Sequence, residues 1–225
     1  MTQIIDLFAT PVIAFKFEKH DEYVTKWQNW EKEDNTPKGW NCSLYTSFPD
    51  VGTNDPKISN DLIKDIKKDL LIDIKKTLRE HRLSEHLKYH TFWYNAYYQG
   101  QNQEPHNHLL SPAQGIPPTW SGVYFAKNCL PKQFRFHRAD LSLWTQNMFN
   151  VSKSPLEKYY EPRHDTVFSD GDVILFPPHV RHSVKVTEPL NVENQRLTFA
   201  FNLDNYYTES YQQQILGSYR HERSR

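Results

Sequence analysis

Thr91-Phe92-Trp93-Tyr94-Asn95-Ala96-Tyr97-Tyr98 is a run dominated by aromatic and β-branched residues, and Gln99-Gly100 closes it. Such residues fit a pleated, half-buried surface, so the run reads as a strand. Six more runs of this kind follow at residues 121–127, 134–136, 166–168, 173–176, 182–186 and 195–202, with turn residues between them. No helical period lasts more than a few residues among them. Seven or eight short strands suit a jelly-roll barrel, so the main body is expected to be mainly β.

Upstream of this body the pattern differs. Residues 4–17 are β-branched and aromatic, and Pro11 confines them to an edge strand or a strand in two pieces. A short amphipathic helix is plausible from Asp21 to Trp30, and residues 31–56 carry Asn, Asp, Pro and Gly with no period, as a loop does. Ile58, Leu62, Ile63, Ile66, Leu70, Ile74 and Leu78 recur at three- and four-residue steps. They predict one long helix to about Arg82, capped by Ser59, its lysines on a solvated face. The expected organisation is a supporting strand and helices at 1–87, a β core at 88–204 and a tail at 205–225, all one domain. A long insertion at 137–165 is placed over the barrel mouth, where such a loop is more often a lid or substrate loop than filler.

Composition excludes several classes. The 225 residues carry 27 Lys+Arg against 27 Asp+Glu, so no net charge draws the chain to nucleic acid or an anionic membrane. Seven glycines argue against phosphate-cradling loops. Two cysteines, Cys42 and Cys129, are too few for a disulfide framework or a cysteine zinc cluster, and read as small hydrophobes. Any metal must therefore be held by histidines and carboxylates. Without 18 consecutive apolar residues or a signal-like N-terminus, a soluble cytoplasmic protein is expected, in a bacterium or a phage-infected host.

Histidines concentrate in Glu104-Pro105-His106-Asn107-His108 and His179-Val180-Arg181-His182. Residues two apart on a strand share a face, so His106 and His108 can converge on one point, as can Glu104. His182 follows an apolar run and sits at a strand start, where a barrel-mouth ligand would lie. Two imidazoles and one further group leave positions open on an iron(II) ion. Spacing alone does not separate this from a surface histidine pair. Arg196, however, lies amid apolar neighbours on a strand, and a buried unpaired guanidinium is costly. With Thr198 on the same face it offers a fork and a hydroxyl to a carboxylate.

These residues resemble the 2-oxoglutarate and iron(II)-dependent oxygenases, in particular their prolyl 4-hydroxylase-like branch. Gly100-Gln101-Asn102-Gln103-Glu104-Pro105-His106-Asn107-His108 is similar to that branch's motif G-Q-x-x-E-P-H-x-D. Ser121–Phe125, Asp170–Pro177, His182 and Arg196–Asn202 follow in the family's order, and Leu7–Pro11 is similar to the start of small bacterial and phage oxygenases. The resemblance implies a double-stranded β-helix, Fe(II), 2-oxoglutarate and O2, with ascorbate as a reductant and release of succinate and CO2. It makes His106 and His182 iron ligands and Arg196 with Thr198 the clamp for the distal carboxylate. A tyrosine commonly assists that clamp: Tyr124 is the nominee, with Phe125 contesting the register and Tyr97 or Tyr98 as further candidates.

The departure is His108, which stands where the family has an iron-binding carboxylate. His108 is expected to coordinate the iron as the third ligand; the alternatives are that it stands by while water fills the position, or that Glu104 substitutes for it. A neutral first shell should bind iron less tightly. His179, His137, Arg138, Arg163, His164 and Asp165 read as mouth or loop residues, Asp170-Gly171-Asp172 as a turn, and Trp120, Trp144 and Tyr159 as buried aromatics or groove lining. The expected function is hydroxylation of an aliphatic carbon, prolyl in a peptide or protein, with a small molecule as the other substrate class. The rival is a non-catalytic β-barrel binding or phage accessory module, supported by the missing carboxylate; a metal dioxygenase without 2-oxoglutarate is a third reading.

Overall fold

The computed structural model describes residues 10–26, 43–48, 61–109, 117–138, 163–191 and 194–205. The elements run β1 (Ile13–Lys16), α1 (His20–Val24), β2 (Tyr45–Thr46), α2 (Asp61–Glu80), β3 (Leu87–Tyr97), β4 (Asn102–His106), β5 (Trp120–Lys127), β6 (Phe134–His137), β7 (Arg163–Asp165), β8 (Asp172–Phe176), β9 (Arg181–Lys185) and β10 (Arg196–Asn205). They form a six-stranded sheet in the order β1-β8-β5-β10-β3-β2 and a four-stranded sheet in the order β4-β9-β6-β7. All pairings are antiparallel. From β3 to β10 each sheet receives four strands, and the chain changes sheet at nearly every connection. That winding makes the fold a double-stranded β-helix, mainly β as expected.

Strand alternation divides each strand of the large sheet between two cores. Val173 and Leu175 of β8, Tyr124 and Ala126 of β5, and Leu197, Phe199 and Phe201 of β10 pack with Ile63, Ile66, Leu70, Ile74 and Leu78 of α2. The residues between them, Ile174, Phe176, Val123 and Phe125, face the second sheet and meet Phe134 and Val184. Helix α2 thus seals the outer face, each fully buried large side chain contributing about 1.5–3 kcal/mol. Gly122 has no room for a side chain, since a Cβ there would lie 2.3 Å from the Phe201 ring and 2.8 Å from the Ile174 carbonyl.

Two local expectations are corrected. Residues 166–168 are not a strand; the strand is β7, just before them. The Thr166 hydroxyl and amide still donate to the Phe134 carbonyl, at 2.8 and 3.3 Å, but its own carbonyl accepts from the Lys132 amide at 2.7 Å and not from Phe134, so the reciprocal ladder ends there. Strand β4 was visible through its motif and not through its polar composition, because it lies at a sheet edge. Strand β1, at an edge of the large sheet, starts two residues after Pro11. Ser59, Cys42, Trp144, Tyr159, most of the 137–165 insertion and the tail from residue 206 lie outside the described residues. Among the described residues no helix is long and apolar enough to cross a membrane.

Candidate metal centre and a buried arginine

His106 on β4 and His182 on β9 are directly paired across the small sheet, so their side chains rise from the same face. Their ring centroids are 4.3 Å apart. The register slips between Gln103 and His106, and this bulge matters. Without it, residues three apart would point to opposite faces; with it, Gln103 and His106 both line the interior pocket. Glu104 is left out of the pocket lining and out of the histidine cluster. His108 lies beyond the end of β4, where its amide donates to the Pro178 carbonyl at 2.9 Å. Its ring centroid is 5.5 Å from that of His106 and 4.9 Å from that of His182.

The ligand atoms of His106, His108 and His182 all lie within 4.8 Å of one another. Each Nδ1 faces a carbonyl oxygen: Glu104 O at 2.8 Å, Val180 O at 3.2 Å and the Asn202 side-chain Oδ1 at 2.7 Å. A carbonyl only accepts, so each Nδ1 carries the proton and each Nε2 keeps a bare lone pair. Burial holds all three below the usual histidine pKa, His108 at about 4 and His182 well below it, and the mutual repulsion of the rings adds to this for His108 and His182. Three neutral imidazoles with fixed tautomers suit a divalent transition metal.

Asn202 also accepts from Ser121 Oγ at 2.8 Å and donates to Thr91 Oγ1 at 2.9 Å. Ser121 and Thr91 are its cross-strand partners, so β3, β5 and β10 together aim one amide at His108. Replacing Asn202 by Leu is expected to weaken Mn2+ binding about 10- to 100-fold with the fold intact, read by metal titration and circular dichroism. Unchanged affinity would show that His108 needs no such support.

The metal-free histidines also predict a pH effect. An unfolded chain protonates its histidines near pH 6.5, whereas the folded one resists until about pH 4 at His108. The unfolded state therefore binds more protons in that window, and stability falls as pH drops through it. The Tm of metal-free protein should decline between about pH 6.5 and 4, and a flat profile would contradict the burial of these rings.

The other half of the pocket is built on β10. Arg196, Thr198, Ala200 and Asn202 take the interior face, and their β3 partners Tyr97, Asn95 and Trp93 line the same pocket. The pocket also includes the three histidines, Val123, Phe134 and Val184. Arg196 is fully buried. Its Nε donates to Gln133 Oε1 at 2.9 Å, and its guanidinium lies 5.3 Å from the Tyr97 ring centre and 5.8 Å from that of Phe125. Both terminal nitrogens, Nη1 and Nη2, are buried with no hydrogen-bond partner. Orphaned charged donors in an enclosed pocket fit a bound carboxylate, and the donor set on the facing sheet fits the metal that a 2-oxo acid would chelate.

Thr198 lines this pocket too, its hydroxyl 3.4 Å from the Asn95 carbonyl. Tyr124 does not reach it: the register of β5 against β10 turns Tyr124 into the helix-side core, where its hydroxyl meets Nδ1 of His20, on α1, at 2.7 Å. Phe125 holds the interior position instead. Tyr98 is also outside the pocket, its hydroxyl 2.9 Å from that of Tyr45. Tyr97 is inside, donating to Gln103 Oε1 at 3.0 Å. His179 is exposed, His137 bonds Ser183 at 2.7 Å, Trp120 packs on the helix-side core, and burial pushes the Cys129 thiol up to about 12. Asn202 and Gln133 were not foreseen. Asn202 shares the parity of Arg196 and Thr198, a signal that was available; Gln133 carries none.

Residues 91–202 match the family model described as "Putative 2OG-Fe(II) oxygenase". Among solved structures, an oxidoreductase of the 2OG-Fe(II) oxygenase family from Burkholderia pseudomallei aligns with TM-score 0.56 at 13% identity, covering 87% of this chain and 86% of that one. HygX from Streptomyces hygroscopicus, with nickel and 2-oxoglutarate bound, aligns with TM-score 0.54 at 12% identity over 88% and 84%. A prolyl-4-hydroxylase from Pseudomonas putida aligns with TM-score 0.51 at 13% identity over 86% and 92%. These likenesses show the fold. No curated protein matches the sequence. The matched residues include the three histidines and Arg196.

Proposed function

We propose that this chain, built on a 2OG-Fe(II) oxygenase core, is a dioxygenase that hydroxylates an aliphatic carbon, most readily a prolyl residue in a peptide or protein. The balance is one 2-oxoglutarate, one O2 and one C–H bond giving succinate, CO2 and C–OH. The carrying observation is the buried, unpartnered guanidinium of Arg196 in the same pocket as three converging imidazoles. His106, His108 and His182 would hold the iron, which supplies the centre where O2 is reduced as 2-oxoglutarate is decarboxylated.

The chain's own residues perform the rest. Arg196 and Thr198 bind the distal carboxylate and so set which end of the co-substrate faces the histidines. The Glu104 and Val180 carbonyls and Asn202 keep the ligand nitrogens deprotonated and aimed. Trp93, Tyr97, Phe134 and Val123 wall the pocket and exclude water, which strengthens the Arg196 pairing and limits side reactions. Ala200, the smallest of the lining side chains, leaves space between the two ends.

The prolyl assignment is supported by the Gly100–His106 motif, and the non-catalytic reading drew its support from the missing carboxylate at 108. His108 stands in the same cluster as the other two rings, so that position still offers a donor. Oxygen-dependent succinate formation from 2-oxoglutarate, with iron and ascorbate, tests the function. A panel of proline-containing peptides and small molecules, scored for a mass gain of one oxygen, tests the substrate class. No turnover, together with unchanged 2-oxoglutarate binding in Arg196→Ala, would overturn the proposal.

A further inference from the structure

We propose that Gln133 is a positioning residue that keeps the charge of Arg196 free for the co-substrate. The inference rests on reading Arg196 as the carboxylate clamp. Gln133 is buried in the turn before β6, and its backbone carbonyl accepts from Lys185 at 2.9 Å. Its Oε1 accepts from Arg196 Nε at 2.9 Å and from the Leu130 amide at 3.0 Å. Its Nε2 donates to Glu188 Oε2 at 2.7 Å. A chain of hydrogen bonds therefore runs from the half-exposed carboxylate of Glu188, through a neutral amide, to the buried guanidinium.

The order of groups along this chain is what matters. The amide takes the Nε–H of the guanidinium and fixes the plane of the fork, leaving Nη1 and Nη2 unpaired. An amide cannot neutralise the cation, and the acidic group is held one side chain further out, where solvent weakens its pull. A carboxylate in place of the amide would pair with Arg196 directly and compete with the incoming dicarboxylate. The glutamine thus separates the need to orient the arginine from the need to leave it charged.

Exchanging the two residues tests the effect: Gln133→Glu combined with Glu188→Gln keeps net charge, side-chain sizes and the link from residue 188 through residue 133 to Arg196, and moves the carboxylate onto Arg196 at the cost of the Thr187 amide bond to residue 188. With Mn2+-loaded protein under anaerobic conditions, the Kd for 2-oxoglutarate should rise at least about tenfold while Mn2+ affinity stays within about twofold of wild type. A purely structural role would move both constants together, and unchanged 2-oxoglutarate binding in the exchanged protein overturns the inference. If the exchanged protein does not fold, Gln133→Met, whose thioether is only a weak acceptor, should still weaken 2-oxoglutarate binding about threefold or more at constant Mn2+ affinity; wild-type binding there overturns it as well. Wild-type protein that binds Mn2+ but no 2-oxoglutarate would instead sink the co-substrate reading.

Discussion

Arg196→Ala is expected to weaken 2-oxoglutarate binding by roughly 150- to 5,000-fold while leaving Mn2+ affinity nearly unchanged. The size follows from losing one partner of a buried charge pair, about 3–5 kcal/mol, at about 1.4 kcal/mol per decade of affinity. The guanidinium is fully buried, its two terminal nitrogens have no protein partner, and it is the one Lys or Arg among the described residues lining the pocket, so Thr198 alone cannot replace its charge. The folded protein should tolerate the loss, because an unpaired buried cation costs free energy and its removal partly offsets the cavity left behind. Calorimetric titration of Mn2+-loaded protein reads both constants. A loss of less than about tenfold would mean that the distal carboxylate is held elsewhere.

His182→Ala should have the other large effect, on the metal. Removing a supporting partner of a ligand typically costs about 10–100-fold in metal affinity, so removing a ligand that is itself buried should cost more than about 100-fold. His182 is 3% exposed and in ring contact with His106, His108, Phe134 and Phe176. Its loss leaves the other two imidazoles without their central neighbour. The same variant should flatten the acid side of the metal-free stability profile. Protonation of His182 in the unfolded chain opposes folding as pH drops below about 6.5, and that penalty vanishes with the ring. Retention of wild-type Mn2+ affinity would remove His182 from the centre, and an unaltered pH profile would contradict its burial as a neutral group.

Much of this was legible along the chain because it depends on short-range periodicity. The continuous apolar run of β8 marks a strand buried on both faces, and the three- and four-residue step of Ile63, Ile66, Leu70, Ile74 and Leu78 marks a helix with one apolar face. Arg196 among apolar strand neighbours already demanded an anion, since burial of an unpaired charge is costly whatever the fold. The clustering of His106 and His108 near a strand end pointed to a metal for a similar reason.

What could not be read was register, which is set between strands distant in sequence. Whether Tyr124 or Phe125 faces the pocket turns on how β5 meets β10, and a shift of one residue reverses every side chain. That pairing sends Tyr124 to His20 and the helix-side core. The bulge that brings Gln103 and His106 to one face, and leaves Glu104 aside, exists only in the pairing of β4 with β9. Gln133 and Asn202 acquire their positions from residues 63 and 94 positions away. Local propensity specified strands and the charge they must satisfy; pairing across two sheets chose which side chains meet, because hydrogen-bonded register and its irregularities are properties of the ladder and not of either strand alone.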